Sequence, residues 1–550
     1  MKPPKRLPIP WYSRKKYILL LLIAVPLLVY IKVVTLGFTM LDDTIFITEN
    51  QAFNSNIHNV SVAFQRGVFS ADKDFYYRPV FLVDFIFESK LFGDGVAGYH
   101  FTNLIFHLVC VLLLYIFLTK LRIPKPHALL LSLIFAVHPV LSQAVAWIPG
   151  RNDMLLMIFF LSSLILAIDY IQKPGLLLFS GQLTLYLLAL FTKETAAMIP
   201  VVALPLLILV CKAKWKSWLL LVLGWSGGIL FWAFIRSMAP LIKLNMTVWE
   251  LLQNGLHRAP AAIQYLGKVI FPVNLAVFPS IDHITLVWGI LAVMVLAGLI
   301  IVSKSYAKPL TFIGIIWFIL FLIPVLVVPP TLNDQVFEHR LYIPLIGILL
   351  VLSQTLVFHS QLKESYKLSA ATAIILLFSI MTFIRLELFQ SPMSFWSRAV
   401  SDNPSSSYAQ MMLGLRMTDT TAMTLCFNKA WALNPDEKNL NYFMGKIALD
   451  QNQPDLAKMH LLKELKHSQI PDDYFCLARI YFMKNQLDSA AWCLEKLVAL
   501  DPLHPQGNHN LVLLYNQLNR KKEAWDALEA MRLNGMDIPV DLSSLIKKPE

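Results

Sequence analysis

Long apolar runs constrain the fold of this chain more than any other feature. A helix needs about 20 apolar residues to cross the hydrocarbon core of a bilayer. Hydrophobic residues make up 57% of the 550 residues and charged residues only 15%, against about 25% charged in soluble proteins. The sequence therefore predicts an all-α fold, a polytopic transmembrane helical bundle. We predict about eleven spans, near residues 17–36, 100–121, 126–145, 152–171, 176–192, 196–211, 216–238, 284–303, 309–330, 341–358 and 368–386.

The charges divide the chain into two parts. From Glu387 to the end there are 17 Lys and Arg against 19 Asp and Glu, whereas the residues before it carry 30 basic and 16 acidic side chains. In a membrane chain such a basic excess indicates cytoplasmic loops and lipid headgroups rather than nucleic acid. We predict a cytoplasmic tail over 1–16, a transmembrane domain over 17–390, an exoplasmic soluble domain over 391–540 and a tail over 541–550.

Basic loops orient the spans. The N-terminus carries six basic residues and no acid before the first span, which predicts that it is cytoplasmic. Alternation then places the other basic loops inside and the C-terminal domain outside. The loop 239–283 disagrees, because it is predicted outside yet contains Lys243, Arg258 and Lys268. We interpret its apolar stretch 260–278 as an interfacial or re-entrant helix; a full span there would reverse the orientation of everything after it.

The C-terminal domain contains a repeat. Tyr408, Tyr442, Tyr474 and Asn508 are spaced by 34, 32 and 34 residues, and each begins a helix-like segment. A period near 34 with paired amphipathic helices resembles tetratricopeptide repeats. We predict four units that form a short α-solenoid, either a packed appendage or a concave surface that binds a polypeptide.

Ionisable residues near span ends gather on the predicted exoplasmic side, where such groups indicate function by default. Each also has a simpler interpretation: a solvated acid pair, an interfacial anchor for Arg78, helix capping by Asn152 or Asp153, a self-neutralised Lys–Glu turn, or snorkelling at the tenth span. The candidates are Asp42, Asp43, Arg78, His138, Arg151, Asp153, Lys193, Glu194, Glu338, His339 and Arg340.

Acids beside converging cations suit group transfer from a phosphate-bearing substrate. The cations would hold the phosphate and stabilise it as a leaving group. Asp42 or Asp43 would take the proton from an acceptor hydroxyl, or ligate a metal. The sequence does not distinguish between these two acids.

The same residues, in this order, resemble the polytopic glycosyltransferases of the GT-C fold, and above all their branch with C-terminal tetratricopeptide repeats, the transmembrane-and-tetratricopeptide-repeat O-mannosyltransferases and bacterial relatives. The resemblance covers nearly the whole chain. It rests on "LDDTIFI" (41–47), "YYRPV" (76–80), "GYHFTNLIFHLVCVLLLY" (98–115), "FAVHPVLSQAVAWIPGRNDML" (135–155), "LALFTKETA" (188–196), "YLGKVIFPVNLAVFPS" (265–280), "EHRLYIP" (338–344) and "SFWSRAVSDNP" (394–404).

The resemblance implies a polyprenyl-phosphate sugar donor, dolichyl-phosphate mannose in eukaryotic members, and an inverting displacement with Asp42 or Asp43 as base. The donor phosphate would meet Arg151, Lys193 and Arg340. Two positions depart from the family: Leu41 replaces an aromatic residue, and Gln143 stands where eukaryotic members carry an acid. Metal use varies in the family, so a divalent cation at Asp42 or Asp43 stays open.

Three functions compete at this level. A membrane glycosyltransferase acting on protein Ser or Thr comes first, with a glycolipid or cell-envelope polysaccharide as the alternative acceptor. A non-catalytic repeat scaffold would tolerate loss of Asp42 and Asp43. A transporter would need inverted repeats and polar residues at mid-membrane, neither of which the sequence contains. The differences from eukaryotic members favour a bacterial inner membrane over the endoplasmic reticulum.

Overall fold

The computed structural model describes residues 14–69, 74–242, 246–281, 285–303, 308–328, 335–359, 363–467 and 470–540, with 542 and 546. The basic residues before Arg14 and Lys243 lie outside these ranges. The described residues form helices and no β-strand, with two isolated β-bridges. The prediction of an all-α fold is confirmed.

The chain separates into two compact units, Met1–Asn403 and Pro404–Glu550. The helix Pro392–Asp402, which we had assigned to the soluble domain, therefore belongs to the first unit. The longer α-helices of that unit are Lys15–Tyr30, Pro79–Phe92, Val96–Lys120, Lys125–Ala136, Arg151–Gln172, Leu176–Thr192, Trp215–Ser237, Val248–Ile270, Val287–Val302, Lys308–Leu326, Pro344–Leu352, Glu364–Arg385 and Pro392–Asp402.

Six helices of the described chain are long and apolar enough to cross a membrane: Lys15–Thr35, Val96–Lys120, Ile148–Gln172, Trp215–Ser237, Lys308–Leu326 and Tyr366–Phe389. A seventh candidate is the pair Lys125–Ala136 and Pro139–Ala146, which is bent by 49°. Three further predicted spans correspond to shorter apolar helices, and the stretch near 341–358 forms two short ones, Pro344–Leu352 and Leu356–His359. The count of eleven spans therefore stays a prediction.

The helix predicted within 260–278 forms, but it begins and ends earlier in the chain. It runs from Val248 to Ile270, and residues 271–280 are not helical. Thr247 and Glu250 form a reciprocal capping box at its start, which explains the earlier beginning. The helix is amphipathic: Leu252 and Leu256 are exposed, whereas Arg258 and Lys268 are buried. It is not among the six candidate spans.

Small residues let two helices of the first unit cross at close range. A Cβ atom added to Gly314 would stand 2.5 Å from the carbonyl oxygen of Gly347, and one added to Gly347 would clash in turn with Gly314. This contact packs Lys308–Leu326 against Pro344–Leu352, and so fixes the short helix that follows Glu338, His339 and Arg340.

The second unit contains the four predicted helix pairs. The turn inside each of the last three pairs has an asparagine in the left-handed region, Asn452, Asn485 and Asn519, with φ of 58°, 55° and 60°. Asparagine tolerates this conformation, which closes a helix C-terminus. The pairs are Ser407–Gly414 with Thr420–Leu433, Leu440–Asp450 with Pro454–Glu464, Pro471–Met483 with Leu487–Leu500, and Pro505–Gln517 with Lys521–Leu533.

Candidate active site

The loop that carries the acid pair is tightly held. The backbone N–H of Gly37 donates to the carbonyl of Gln390 at 3.0 Å, and the indole of Trp396 donates to the carbonyl of Thr39 at 3.0 Å. Met40 has a φ of 55° although it is not glycine, and Asp42 follows two residues later. Backbone strain of this kind clusters at functional sites. The loop therefore presents Asp42 and Asp43 in a fixed position.

Asp42 and Asp43 have different environments. Asp43 is buried, and its Oδ2 accepts hydrogen bonds from the backbone N–H of Thr39 at 2.5 Å and from its hydroxyl at 3.0 Å. Its Oδ1 accepts from the N–H of Thr44 at 3.2 Å. Asp42 is partly exposed, and none of the described residues donates a hydrogen bond to its carboxylate. Asp43 thus shapes the loop, whereas Asp42 is left available for a substrate.

Burial and the charges around Asp42 shift its pKa. Burial, and then the charge of Asp43, raise the pKa of Asp42 to about 7, and the nearby guanidinium of Arg78 lowers it in part. A base whose pKa lies near the working pH combines a useful deprotonated fraction with proton affinity. The two acids therefore differ in their environment, and the sequence does not show this difference.

Arg78 is held from two sides beside this loop. It makes a two-point ion pair with Glu194, with Nε to Oε2 at 3.1 Å and Nη2 to Oε1 at 2.7 Å. Asn152, with its amide oxygen turned toward Arg78, accepts from Nη1 at 2.7 Å and donates to the Thr192 carbonyl at 2.9 Å. The interpretation of Arg78 as an interfacial anchor does not explain these partners.

Lys193 pairs with Asp153 rather than with its neighbour in sequence. Its Nζ lies 2.7 Å from Oδ1 of Asp153, and both side chains are largely buried. The self-neutralised Lys193–Glu194 turn is therefore wrong. Helix capping by Asn152 or Asp153 is also wrong, because the helix Arg151–Gln172 has no side-chain capping bond.

Glu338 is a structural acid. It is buried, and its two oxygens contact Nζ of Lys268 and Nη2 of Arg385, each at 2.7 Å. Gln143 holds the same turn: its side-chain oxygen accepts from the backbone N–H groups of Glu338 and His339 at 3.0 and 3.2 Å. These contacts fix the 3₁₀ turn Glu338–Leu341.

His339 and Arg340 project from this turn. Burial and the charges of Lys193, Arg340 and Arg78 lower the pKa of His339 well below its usual value, so its ring is neutral. Its Nδ1 lies 3.4 Å from the Gln143 side-chain oxygen, which is an acceptor, so the lone pair falls on Nε2. These interactions bring the turn into the same electrostatic environment as Arg78 and Lys193.

Arg340 is the least constrained of the candidate cations. It is only partly buried, Nη1 donates to the Gln335 carbonyl at 2.7 Å, and the guanidinium lies over the ring of Phe337 at 5.6 Å. It also interacts with the hydroxyl of Tyr265. Among the described residues, Gln335 and Tyr265 occupy two of the five N–H donors of this arginine.

Arg151 lies in a separate, fully buried cluster. Nη1 donates to Asp84 at 2.9 Å and also to Glu88, Nη2 donates to the Tyr99 carbonyl at 2.7 Å, and Nε donates to Asn103 at 2.9 Å. All three guanidinium nitrogens therefore have protein acceptors. This geometry favours a structural role over the expected contact with a donor phosphate.

His138 is also occupied by the protein. Its Nε2 lies 2.9 Å from the carbonyl of Val269, and its Nδ1 accepts from the backbone N–H of Val140 at 3.3 Å. It sits at the bend before Pro139, so its ring joins the two halves of the bent helix pair to the amphipathic helix. The structure does not bring His138 and Arg151 together.

Several partners of the site escaped the sequence analysis. From the sequence, Lys268 is only a basic residue in a loop predicted to be outside, and Gln143 is only a departure from the family pattern. The acids in "FLVDFIFES" (81–89) were a usable signal, because two carboxylates in an apolar helix require a cation. The residues missed altogether are Asp84, Glu88 and Arg385.

Among the described residues, the acid pair offers few donors for a metal ion. Asp43 already accepts three hydrogen bonds, which leaves Asp42 as the single available carboxylate. Across the part of the chain that the structure describes, no three His, Cys, Asp or Glu side chains gather as metal ligands.

Comparison with known proteins supports the resemblance seen in the sequence. No protein-family model matches the chain. Protein O-mannosyl-transferase F38B6.6 of Caenorhabditis elegans is 26% identical over 381 residues, which cover 64% of this chain and 53% of that protein. Protein O-mannosyl-transferase TMTC3 of Homo sapiens is 33% identical over 99 residues, 18% of this chain and 10% of that one. This chain thus spans about half the length of the first relative.

A solved structure, the Archaeoglobus fulgidus oligosaccharyltransferase tethered with an acceptor peptide, is 13% identical and covers 76% of this chain and 59% of its own. Its TM-score of 0.40 is too low to carry an argument. Both sequence relatives are named protein O-mannosyl-transferases, which is the family that the motifs resemble. The predicted resemblance is confirmed: this chain is similar to protein O-mannosyl-transferases.

Proposed function

We propose that this protein is a membrane glycosyltransferase. It moves a mannose-like sugar from a polyprenyl-phosphate donor to an acceptor hydroxyl on the exoplasmic side, with Ser or Thr of a protein as the first acceptor. The observation that carries the proposal is the Asp42 carboxylate, which has a raised pKa of about 7 and no hydrogen bond from the described residues. A carboxylate in this state, next to buried cations, is suited to general-base catalysis.

The proposed step is a single displacement. Asp42 takes the proton of the acceptor hydroxyl while its oxygen attacks C1 of the sugar. The bond between C1 and the phosphate oxygen breaks, and the electron pair leaves with polyprenyl phosphate. Attack from the face opposite the phosphate inverts the configuration at C1. Asp43 takes no part in the proton transfer and instead holds the loop through Thr39 and Thr44.

Arg340 is the proposed principal contact for the donor phosphate, because the described residues occupy only two of its five N–H donors. Lys193 and Arg78 contribute positive charge from fixed positions set by Asp153 and Glu194. Charges that are already oriented stabilise a leaving phosphate without reorganisation during the reaction. The neutral His339 offers an acceptor at Nε2 for a sugar or acceptor hydroxyl.

Two observations support a protein acceptor. The relatives are named protein O-mannosyl-transferases, and the second unit consists of four helix pairs of the kind that binds polypeptides. A glycolipid or cell-envelope polysaccharide stays the alternative acceptor. For localisation we propose a multi-pass protein with a cytoplasmic N-terminus and exoplasmic repeats, in a bacterial inner membrane.

The test is release of free polyprenyl phosphate by the purified full-length protein. Polyprenyl-phosphate mannose is supplied with a peptide mixture or lysate, and wild type is compared with Asp42→Asn and Asp43→Asn. Glu49→Gln, at an exposed acid seven residues after Asp42, is the matched control. We expect Asp42→Asn to lose at least about 100-fold in rate and Glu49→Gln to retain wild-type activity.

A label on the sugar then identifies the acceptor, because the label is found either in the protein fraction or in the lipid fraction. Equal release by wild type and folded Asp42→Asn would refute the assigned base. No release with any polyprenyl-phosphate sugar, from folded wild-type protein, would favour the scaffold, whose repeats would then be tested for a protein partner.

A further inference from the structure

The first unit contains an apolar cavity away from the acid pair. Its volume is about 750 Å³, within the range of small-ligand sites. It follows the helix Lys125–Ala136 from Pro126 to Ile134 and ends beside His138. At 1.5 Å per residue the stretch from Pro126 to Ile134 is about 12 Å long. The opposite walls come from Val287–Val302, Pro344–Leu352 and Glu364–Arg385.

The cavity opens at the outer surface of the helices. Val295 and Ile374 line it and are 38% and 42% exposed. An apolar cavity does not hold ordered water, and an empty one forfeits the dispersion contacts of its lining. In a bilayer, an apolar space that is open to the hydrocarbon region is filled by a lipid chain. The volume of about 750 Å³ is enough for one acyl chain.

The two ends of the cavity differ in polarity. At one end His127 lies 5.1 Å from the ring of Phe358, and Lys367 contacts the carbonyl of the same residue at 3.4 Å. At the other end His138 packs against Phe378, with ring centroids 4.8 Å apart. Both ring nitrogens of His138 already have protein partners, so that end is chemically apolar.

We propose that this cavity binds an anionic membrane phospholipid, with one acyl chain along Lys125–Ala136 and the phosphate at His127 and Lys367. The ammonium of Lys367 and the imidazole of His127 both lie beside Phe358. Basic residues attract anionic headgroups at a membrane surface, and Lys125 comes two residues before His127 in the sequence. The site is independent of the proposed sugar transfer.

The experiment is native mass spectrometry of the full-length protein in detergent, titrated with phosphatidylglycerol or with phosphatidylcholine of the same chains. Wild type should retain about one phosphatidylglycerol per chain and prefer it to phosphatidylcholine by about fivefold. Ala371→Phe places a ring in the cavity and should abolish retention. Ala373 lies on the exposed face of the same helix, so Ala373→Phe should retain the lipid.

A charge variant keeps the test valid if Ala371→Phe does not fold. Lys367→Glu should remove the preference for phosphatidylglycerol, whereas Lys363→Glu, at an exposed position nearby, should keep it. Equal retention by wild type and Ala371→Phe, an unchanged preference in Lys367→Glu, or no retention by wild type would each overturn the proposal. Displacement of phosphatidylglycerol by undecaprenyl phosphate at equal concentration would overturn it in favour of a polyprenyl chain.

Discussion

Arg78 and Glu194, 116 residues apart in the sequence, form a two-point ion pair beside the loop that carries Asp42. The side chains are 16% and 30% exposed, so solvent screens the pair only in part. Because Arg78 also lowers the pKa of Asp42, the acid that neutralises Arg78 indirectly tunes the proposed base. This relationship links two loops that the sequence presents as separate motifs.

Neutralising Glu194 should move the pH dependence of sugar transfer. In Glu194→Gln the guanidinium of Arg78 keeps its charge but loses its counter-charge, so it lowers the pKa of Asp42 further. We expect the acidic limb of the pH–rate profile to shift down by about half a unit to one unit. Asp169→Asn, which removes an acid paired with Lys120 instead, is the control. An unshifted limb would show that Arg78 and Asp42 are not coupled.

Asp42 should limit activity at low pH and also cost stability at high pH. As a base with a pKa of about 7, it gives a rate that rises with pH and levels off above neutrality. The folded-state pKa lies above the unfolded value near 3.8, so the folded protein binds the proton more tightly, and stability falls as pH rises from about 4 to 7.

Asp42→Asn removes that ionisation. We expect the inactive variant to be more stable than wild type at pH 8, by about 1 kcal/mol after allowance for partial exposure, and equally stable near pH 4. Thermal unfolding in detergent at the two pH values measures the difference. A variant that is less stable than wild type at pH 8 would mean that the Asp42 charge is favourable in the folded protein.

Arg340 and Arg151 should respond differently to substitution. Arg340→Ala removes a proposed phosphate contact, so we expect KM for the polyprenyl-phosphate donor to rise by about tenfold with the fold intact. Arg151→Ala leaves Asp84 and Glu88 buried without their cation, at a cost of about 3–5 kcal/mol, and should reduce the yield of folded protein. A folded, stable Arg151→Ala with a raised KM would restore Arg151 to the donor site.

The sequence predicted the features that depend on local pattern. The 34-residue spacing of Tyr408, Tyr442 and later positions predicted four helix pairs, because each unit repeats the same hydrophobic faces and turn. The longest apolar runs likewise predicted helices at the observed places. The bend at His138 was not predictable, since it depends on contacts with Val269 and Val140 as well as on Pro139.

The sequence did not predict which charged side chains pair with each other. Lys193 and Glu194 are adjacent, which suggested mutual neutralisation. Lys193 is instead extended, with φ of −157° and ψ of 134°, and in extended backbone successive side chains point to opposite sides. The two residues therefore find separate partners in Asp153 and Arg78. Adjacent Asp42 and Asp43 differ for a similar reason, because only Asp43 is turned toward the Thr39 donors.

Gln143 should act as a positioning residue for the Glu338–Leu341 turn. Its oxygen accepts from the N–H groups of Glu338 and His339, and its amide donates to the Val277 carbonyl at 3.0 Å. Gln143→Ala loses all three contacts, and we expect kcat to fall by about tenfold to 100-fold. Gln143→Glu keeps both acceptor contacts and should fall less. An equal loss in the two variants would indicate that the bond to Val277 is the one that matters.

Glu338 should be among the most stabilising acids of the first unit. It joins Lys268 of the amphipathic helix and Arg385 at the end of the last long helix, with both oxygens used and no exposure. In Glu338→Gln two buried cations lose their counter-charge, so we expect a loss of about 3–5 kcal/mol. Asp455→Asn, which breaks an exposed pair with Lys484, should cost about 0–1 kcal/mol. Thermal unfolding in detergent compares the stabilities of the two variants. Similar losses would show that Glu338 is more hydrated than its burial implies.

Glu338 also lies beside the candidate active site. A folded Glu338→Gln should therefore lose sugar-transfer rate as well as stability, because the turn that holds His339 and Arg340 is released from Lys268 and Arg385.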